Sequence, residues 1–269
     1  MKLAKKIIAL ALALALVLTL TACTTAKKET KLIVGASPAP HAEILEVVKP
    51  ILAEQGITLE IQEFTDYVLP NQALEAGDID ANYFQHLPYL LDFNANNGTN
   101  LVSAAAIHFE PLGIYAGKSS DLTAIPDGAV ISVPNDATNE ARALQLLAAQ
   151  GIITLPEGAG LSVTARDIVD NPHNIEILEI AAEQVPRTLV DVDFAVANGN
   201  YALEAEITDK LIVTEDKDSE GAQTYANIVA VRAGDETRED IQALVKALQS
   251  DEVRNFITET YGANVIPVF

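Results

Sequence analysis

Between Lys31 and Gly262, short apolar runs alternate with segments of helical spacing. That alternation restricts the chain to an α/β architecture, with sheets flanked by helices and ligands received at strand carboxyl ends. KLIVGAS (31–37) is an apolar run ending at a glycine, and predicts a buried strand feeding a loop. AEILEVVKPILAEQG (42–56) places apolar residues at 44, 45, 48, 51 and 52, one face of a helix, with Gly56 as its C-cap. ITLEIQEF (57–64) alternates as a strand. NQALEAGDIDANYF (71–84) predicts a helix stopped near Gly77 and a short extended piece, with a further helix over 85–93. LVSAAAIHFEPLGIYAG (101–117) is strand-like, and AVISVPND (129–136) is a strand breaking at Pro134. TNEARALQLLAAQG (138–151) is a strong helix, with Asn135 or Thr138 as its cap. NIEILEI (174–180), VDFAVANG (192–199) and YANIVAVRAG (225–234) predict strands, EQVPRTL (183–189) a helix start, and residues 237–262 one or two closing helices.

The chain's first 22 residues have a different origin. Lys2, Lys5 and Lys6 precede a 14-residue apolar run, Ile7 to Leu20, which is short for a membrane span and is followed by small residues. This is the pattern of a secretory signal peptide, residues 1–22. The run ends in LTAC, and Cys23 is the only cysteine of the 269 residues. LTAC resembles a bacterial lipobox, in which the thiol is acylated before cleavage leaves it as the first residue. Several acyl chains on one residue give lasting anchorage where a single chain is marginal. Residues 23–30 then form the lipidated cysteine and a short polar tether. No cysteine remains for an internal disulfide.

The formal net charge is −21, and the leader holds three of the 17 basic residues and none of the 38 acids. So acidic a body argues against nucleic acid as a partner and against lying flat on anionic lipid.

Aromatic residues are 5% of the chain, 14 Phe and Tyr with no Trp. Six of them (Phe64, Tyr67, Tyr83, Phe84, Tyr89 and Phe93) fall between positions 64 and 93. Such a concentration serves either a core cluster, to which Tyr83 and Phe93 are assigned, or the wall of a ligand pocket.

Several phrases together carry a resemblance: KLIVGASPAPHAEIL, FTDYVLPNQALEAGDIDANYFQHLPYL, VPNDATNEARALQLL, VDFAVANGNYAL and YANIVAVR, with the lipobox. They resemble the methionine-binding lipoproteins of the NlpA/MetQ family, the extracytoplasmic substrate-binding subunits of ABC importers. The resemblance implies a two-lobed clamshell of the type II periplasmic-binding-protein kind, each lobe a mixed sheet flanked by helices. Lobe 1 would comprise residues 31–110 and 228–269, and lobe 2 residues 111–227, with strands crossing near 110–113 and 225–228. The protein would be a monomer held at the extracytoplasmic face of the cell membrane by its lipid. It would have no cofactor and no enzymatic activity, and would deliver L-methionine or a close derivative to a permease and ATPase complex.

A free amino acid presents a carboxylate, an ammonium and a side chain. Arginine's planar fork is the best match for a carboxylate. Arg142, behind the loop VPNDATN, matches the family's carboxylate-binding arginine. A thioether gains about 0.3–1.5 kcal/mol from each aromatic contact. Tyr67, Phe84 and Tyr89 match the family's ring-bearing positions, and His86 its pocket histidine. Amides offer donors and acceptors to the charged ends. Asn198, at a strand end, and Asn227, inside an apolar strand, fit that role, with Asn200 as the alternative to Asn198. The ammonium's partner stays open between backbone carbonyls and an acid near Asp66.

Two other classes are weighed against this one. A metal-binding transport lipoprotein would use His41, His86, His108 and Glu110, although no two of these sit at ligand spacing on one helix. His173, in NPHN, is a turn residue. An enzyme would need a nucleophile or phosphate motif, and the sequence has no GxSxG, no HExxH, no Gly-rich phosphate loop and no spare cysteine.

Overall fold

The computed structural model describes residues 30–216 and 224–269. The leader, Cys23 and the tether up to residue 29 lie outside the described residues. Two mixed sheets organise them. The first takes strands from both ends of the chain: β1 (Thr30–Ala36), β2 (Ile57–Glu63), β3 (Ala81–His86), β4 (Leu101–Phe109), β10 (Asn227–Arg232) and β11 (Ile266–Pro267). Their spatial order is β11-β4-β10-β3-β1-β2, with β1 parallel to β2 and β3, and β10 antiparallel to β3 and β4. The second sheet comprises β5 (Gly113–Ala116), β6 (Val130–Pro134), β7 (Glu176–Ile180), β8 (Phe194–Ala197) and β9 (Leu211–Thr214), in the order β7-β6-β8-β5-β9. Here β6 is parallel to β7 and β8, and β5 antiparallel to β8 and β9.

The helices cover these sheets with the faces that their periodicity predicts. Helix α1 (Glu43–Ala53) buries Ile44, Leu45, Val48 and Leu52 against the first sheet, each burial contributing about 1.5–3 kcal/mol. Helices α6 (Glu239–Leu248) and α7 (Asp251–Tyr261) add Ile241, Leu244, Val253 and Ile257 to the same core. On the opposite face α2 (Leu69–Ala76) and α3 (Leu87–Asn97) enclose Leu74, Phe84, Leu90 and Phe93. Helix α4 (Ala137–Ala149) packs Ala141, Leu144 and Leu147 on the second sheet with Ile131, Val133 and Val196. A short helix, α5 (Gly199–Glu204), follows β8 directly. No described helix is long and apolar enough to cross a membrane.

Several expectations need correction. The run at 101–117 is two strands in different sheets, broken at Glu110-Pro111-Leu112, because proline cannot donate to a ladder. The chain therefore leaves the first sheet after Phe109 and returns to it at Asn227. The cap of α4 is Asp136, whose carboxylate accepts the Asn139 N–H, and not Asn135 or Thr138. The third helix begins at Leu87 with His86 as its N-cap, two residues later than expected, since Pro88 suits the first turn. The "short extended piece" is β3, a full strand in the middle of its sheet, buried along its whole length. Both faces are covered, so its polar residues need partners. Asn82 donates to Asn71 Oδ1 at 2.8 Å, while Asn71 and Gln85 exchange two bonds at 2.9 and 2.7 Å, which ties α2 to β3. The segment Ala182–Val190 is a 3-10 helix, and β9, β11 and α5 are elements that the sequence reading omits. As expected, α2 ends at Gly77, which takes the left-handed conformation at φ 83°.

Candidate functional site

The ends of four strands and the starts of three helices converge where the two sheets face each other. Between them lies a largely enclosed cavity. Tyr67, Phe84, His86 and Tyr89 reach it from the first-sheet half. Arg142, Asn198 and Asn200 reach it from the second, and Asn227 from the start of β10. All eight residues singled out from the sequence as ligand-binding line this one cavity, Asn198 and Asn200 both among them. One position differs in detail: Asn227 is the first residue of its strand rather than an interior one. Arg142 stands in the second turn of α4.

The rings form a wall. Tyr67 lies 5.8 Å from Phe84 and 5.7 Å from Tyr89, centroid to centroid, and 4.9 Å from Tyr201, which the sequence reading omits. Hydrogen bonds hold them: Tyr89 Oη donates to the Tyr67 carbonyl at 3.0 Å, and Tyr67 Oη to Asn200 Oδ1 at 2.5 Å. The second of these joins the two halves. Tyr83 and Phe93 are instead core residues.

The polar wall is ordered through one relay. His86 caps α3, its Nδ1 accepting the Tyr89 N–H at 3.2 Å, so the imidazole proton sits on Nε2. That Nε2 donates to Asn139 Oδ1 at 3.1 Å, across the cleft. Asn198 Nδ2 donates to the same oxygen at 2.9 Å. Asn139 is turned this way because its Nδ2 donates to both oxygens of Asp136, 3.0 Å each. Asn139, Gln85, Glu110 and Gly199 also line the cavity, and the sequence reading did not assign them to a pocket of this kind.

Two buried amide atoms at this site have no hydrogen-bond partner among the described residues: Asn198 Oδ1 and Asn200 Nδ2. The Glu204 carboxylate approaches Asn200 without closing a bond in this geometry. One atom is an acceptor and the other a donor. An unpaired buried polar group costs roughly 1–3 kcal/mol, which a ligand carrying both kinds of partner would relieve.

The charged residues are few. Arg142 is 3% exposed and its guanidinium is paired with Glu215, while Glu110 is the one acidic residue among the described residues lining the cavity. Burial pushes the Glu110 carboxyl upward, against the pull of His41 and Arg142. Asp66 does not serve the cavity. It accepts the N–H groups of Val68 and Leu69 at the start of α2, 2.7 and 2.8 Å away.

Behind Glu110, His41 and His108 offer ligand atoms that lie with its carboxylate within 4.8 Å, and His86 is not part of this group. His108 Nε2 donates to Glu110 Oε1 at 2.6 Å and its Nδ1 accepts from Tyr83 Oη. His41 Nε2 donates to Asn227 Oδ1 at 3.0 Å and lies 3.3 Å from Glu110 Oε1. His41 Nδ1, by contrast, has no hydrogen-bond partner among the described residues. His173 stands in a turn, as expected.

Burial keeps all three histidines neutral, lowering His41 to about 4, His86 to about 3 and His108 to about 3. For His86 the Arg142 charge adds to this, and for His41 the Glu110 charge opposes it. A histidine with a depressed folded pKa contributes stability that is complete above its unfolded value, about 6.5, and lost as pH falls toward the folded one. Glu110, shifted upward, has the opposite sign and offsets part of the loss. The melting temperature should therefore fall steadily from about pH 6.5 to about pH 4. A melting temperature constant over that range would show these imidazoles to be exposed or charged.

The match to known proteins is extensive. The family model described as NlpA lipoprotein matches residues 32–269. The chain belongs to the NlpA lipoprotein family. A methionine-binding lipoprotein, MetQ of Bacillus subtilis, is 38% identical over 248 residues, 91% of this chain and 89% of its own. Among solved structures, a nutrient binding protein from Burkholderia cenocepacia bound to methionine is 43% identical with a TM-score of 0.84, covering 88% of this chain and 100% of its own. A periplasmic substrate-binding protein of an ABC transporter from Coxiella burnetii is 38% identical with a TM-score of 0.82, covering 88% and 99%. The two mixed sheets flanked by helices are the periplasmic-binding-protein architecture of these family members.

Proposed function

We propose that this protein is the substrate-binding lipoprotein of an ABC importer. It takes L-methionine, or a close derivative, between lobe 1 (residues 31–110 and 228–269) and lobe 2 (111–227), and passes it to a membrane permease and ATPase complex. It works as a monomer tethered through acylated Cys23 on the extracytoplasmic face, and performs no chemistry on its ligand. The observation that carries this reading is one enclosed cavity fed by both halves, with an aromatic wall, a buried arginine and buried amides still short of partners.

Arg142 anchors the carboxylate and Glu110 faces the ammonium. Asn198, Asn200 and Asn227 orient both ends with Asn139. Tyr67, Phe84 and Tyr89 enclose the thioether, beside His86. A ligand shifts a hinge equilibrium only by contacts that one state improves, and this set spans both lobes, so occupancy favours closure. Calorimetric titration of L-methionine into the ligand-stripped chain from Thr24 onward tests the reading. Saturable one-to-one binding with a negative heat-capacity change is the expected result.

A further inference from the structure

Arg142 does not stand free in the cavity wall. Its Nε donates to Glu215 Oε1 at 2.8 Å and its Nη2 to Glu215 Oε2 at 2.5 Å, a two-point pairing. The same Nη2 donates to the Glu110 carbonyl at 2.9 Å, and Glu215 Oε2 also accepts the Leu112 N–H at 2.9 Å. The guanidinium carbon lies 4.3 Å from the centre of the Tyr225 ring. Two edges and one face of the fork are thus defined by Glu215, Glu110 and Tyr225, and none of these contacts engages Nη1. Residues 110 and 112 belong to the crossover between the sheets, so the pair is fastened to the segment about which the halves are joined.

We propose that Glu215 is the positioning residue of the carboxylate subsite: it fixes the Arg142 fork so that Nη1 meets the ligand, and it balances the guanidinium charge. The proposal rests on the reading of Arg142 as the carboxylate anchor. Arginine pairs most strongly when its fork is held in advance, because less freedom is lost on binding. A neutral Arg142–Glu215 pair opposite Glu110 also suits a zwitterion rather than a free anion. In the sequence Glu215 only opens the charged stretch EDKDSE, with no local sign of this role.

The test compares two ligands, L-methionine and L-methioninol, which lacks the carboxylate, in wild type, Glu215→Gln, Glu215→Asp and Arg142→Ala. Glu215→Gln should weaken L-methionine by about ten-fold or more while moving L-methioninol by less than about three-fold. Where Glu215→Gln does not fold, Glu215→Asp decides. It keeps the charge but shortens the reach, and the same selective loss is expected. Equal losses for both ligands, or no loss for either, would overturn the proposal. Should Arg142→Ala bind L-methionine as wild type does, the carboxylate anchor itself is wrong and the proposal falls with it. A selective loss in Arg142→Ala without one in the Glu215 variants removes the positioning role alone.

Discussion

Replacing Arg142 by alanine should weaken L-methionine binding by at least about a hundred-fold, the largest effect expected of any single substitution at this site. The arginine is 3% exposed, so its charge acts in a poorly solvated wall where a charge-assisted bond counts for more than at the surface. Removal has a second consequence. Glu215, 16% exposed, keeps the Leu112 N–H but loses its cation. Breaking a buried pair from one side costs about 3–5 kcal/mol, so the variant should also melt several degrees lower. The two effects separate by ligand: L-methioninol should lose little more affinity in the variant than the general loosening explains. A variant that melts lower yet binds L-methionine as tightly as wild type would place the carboxylate elsewhere.

Glu110→Gln should weaken L-methionine by about ten-fold or more, because Glu110 is the one acidic residue among the described residues lining the cavity, and the one proposed to face the ammonium. The des-amino analogue 4-(methylthio)butanoate, which has no ammonium, should be nearly unaffected. Some stability should also go. Glu110 Oε1 takes the His108 proton at 2.6 Å, and a glutamine amide turned toward that proton would leave His108 and Tyr83 without their chain of bonds. A loss of affinity equal for both ligands would make Glu110 a purely structural residue of the crossover.

The fold was legible because its elements obey simple periods. The face 44, 45, 48 and 52 of α1 and the glycine stop at Gly77 need no tertiary knowledge. The elements that escaped are short or depend on burial. β3 carries Asn82 and Gln85 among its apolar residues and does not alternate, since both of its faces are covered. α5 is six residues long. At the cavity, the rings and Arg142 stood out because such residues are scarce in this chain. Asn139 did not, because VPNDATN offers several residues that could equally cap a helix, and only the structure separates Asp136, the cap, from the Asn139 amide that it turns toward His86. Glu110 was visible as an acid beside histidines, which suggested a metal; the fold makes it line the cavity as well, while its Oε1 accepts the His108 N–H and His41 donates to Asn227. Which charges face one another across a cleft is a long-range fact, and one sequence has no local signal for it.

Titrating L-methionine into the ligand-stripped protein tests the central claim most directly. The account predicts a saturable, one-to-one isotherm and, at a hundred times the dissociation constant, about 2.7 kcal/mol of added stability against unfolding. A flat isotherm with L-methionine and its derivatives, alongside a saturable one with zinc or manganese that His108→Ala removes, would contradict it.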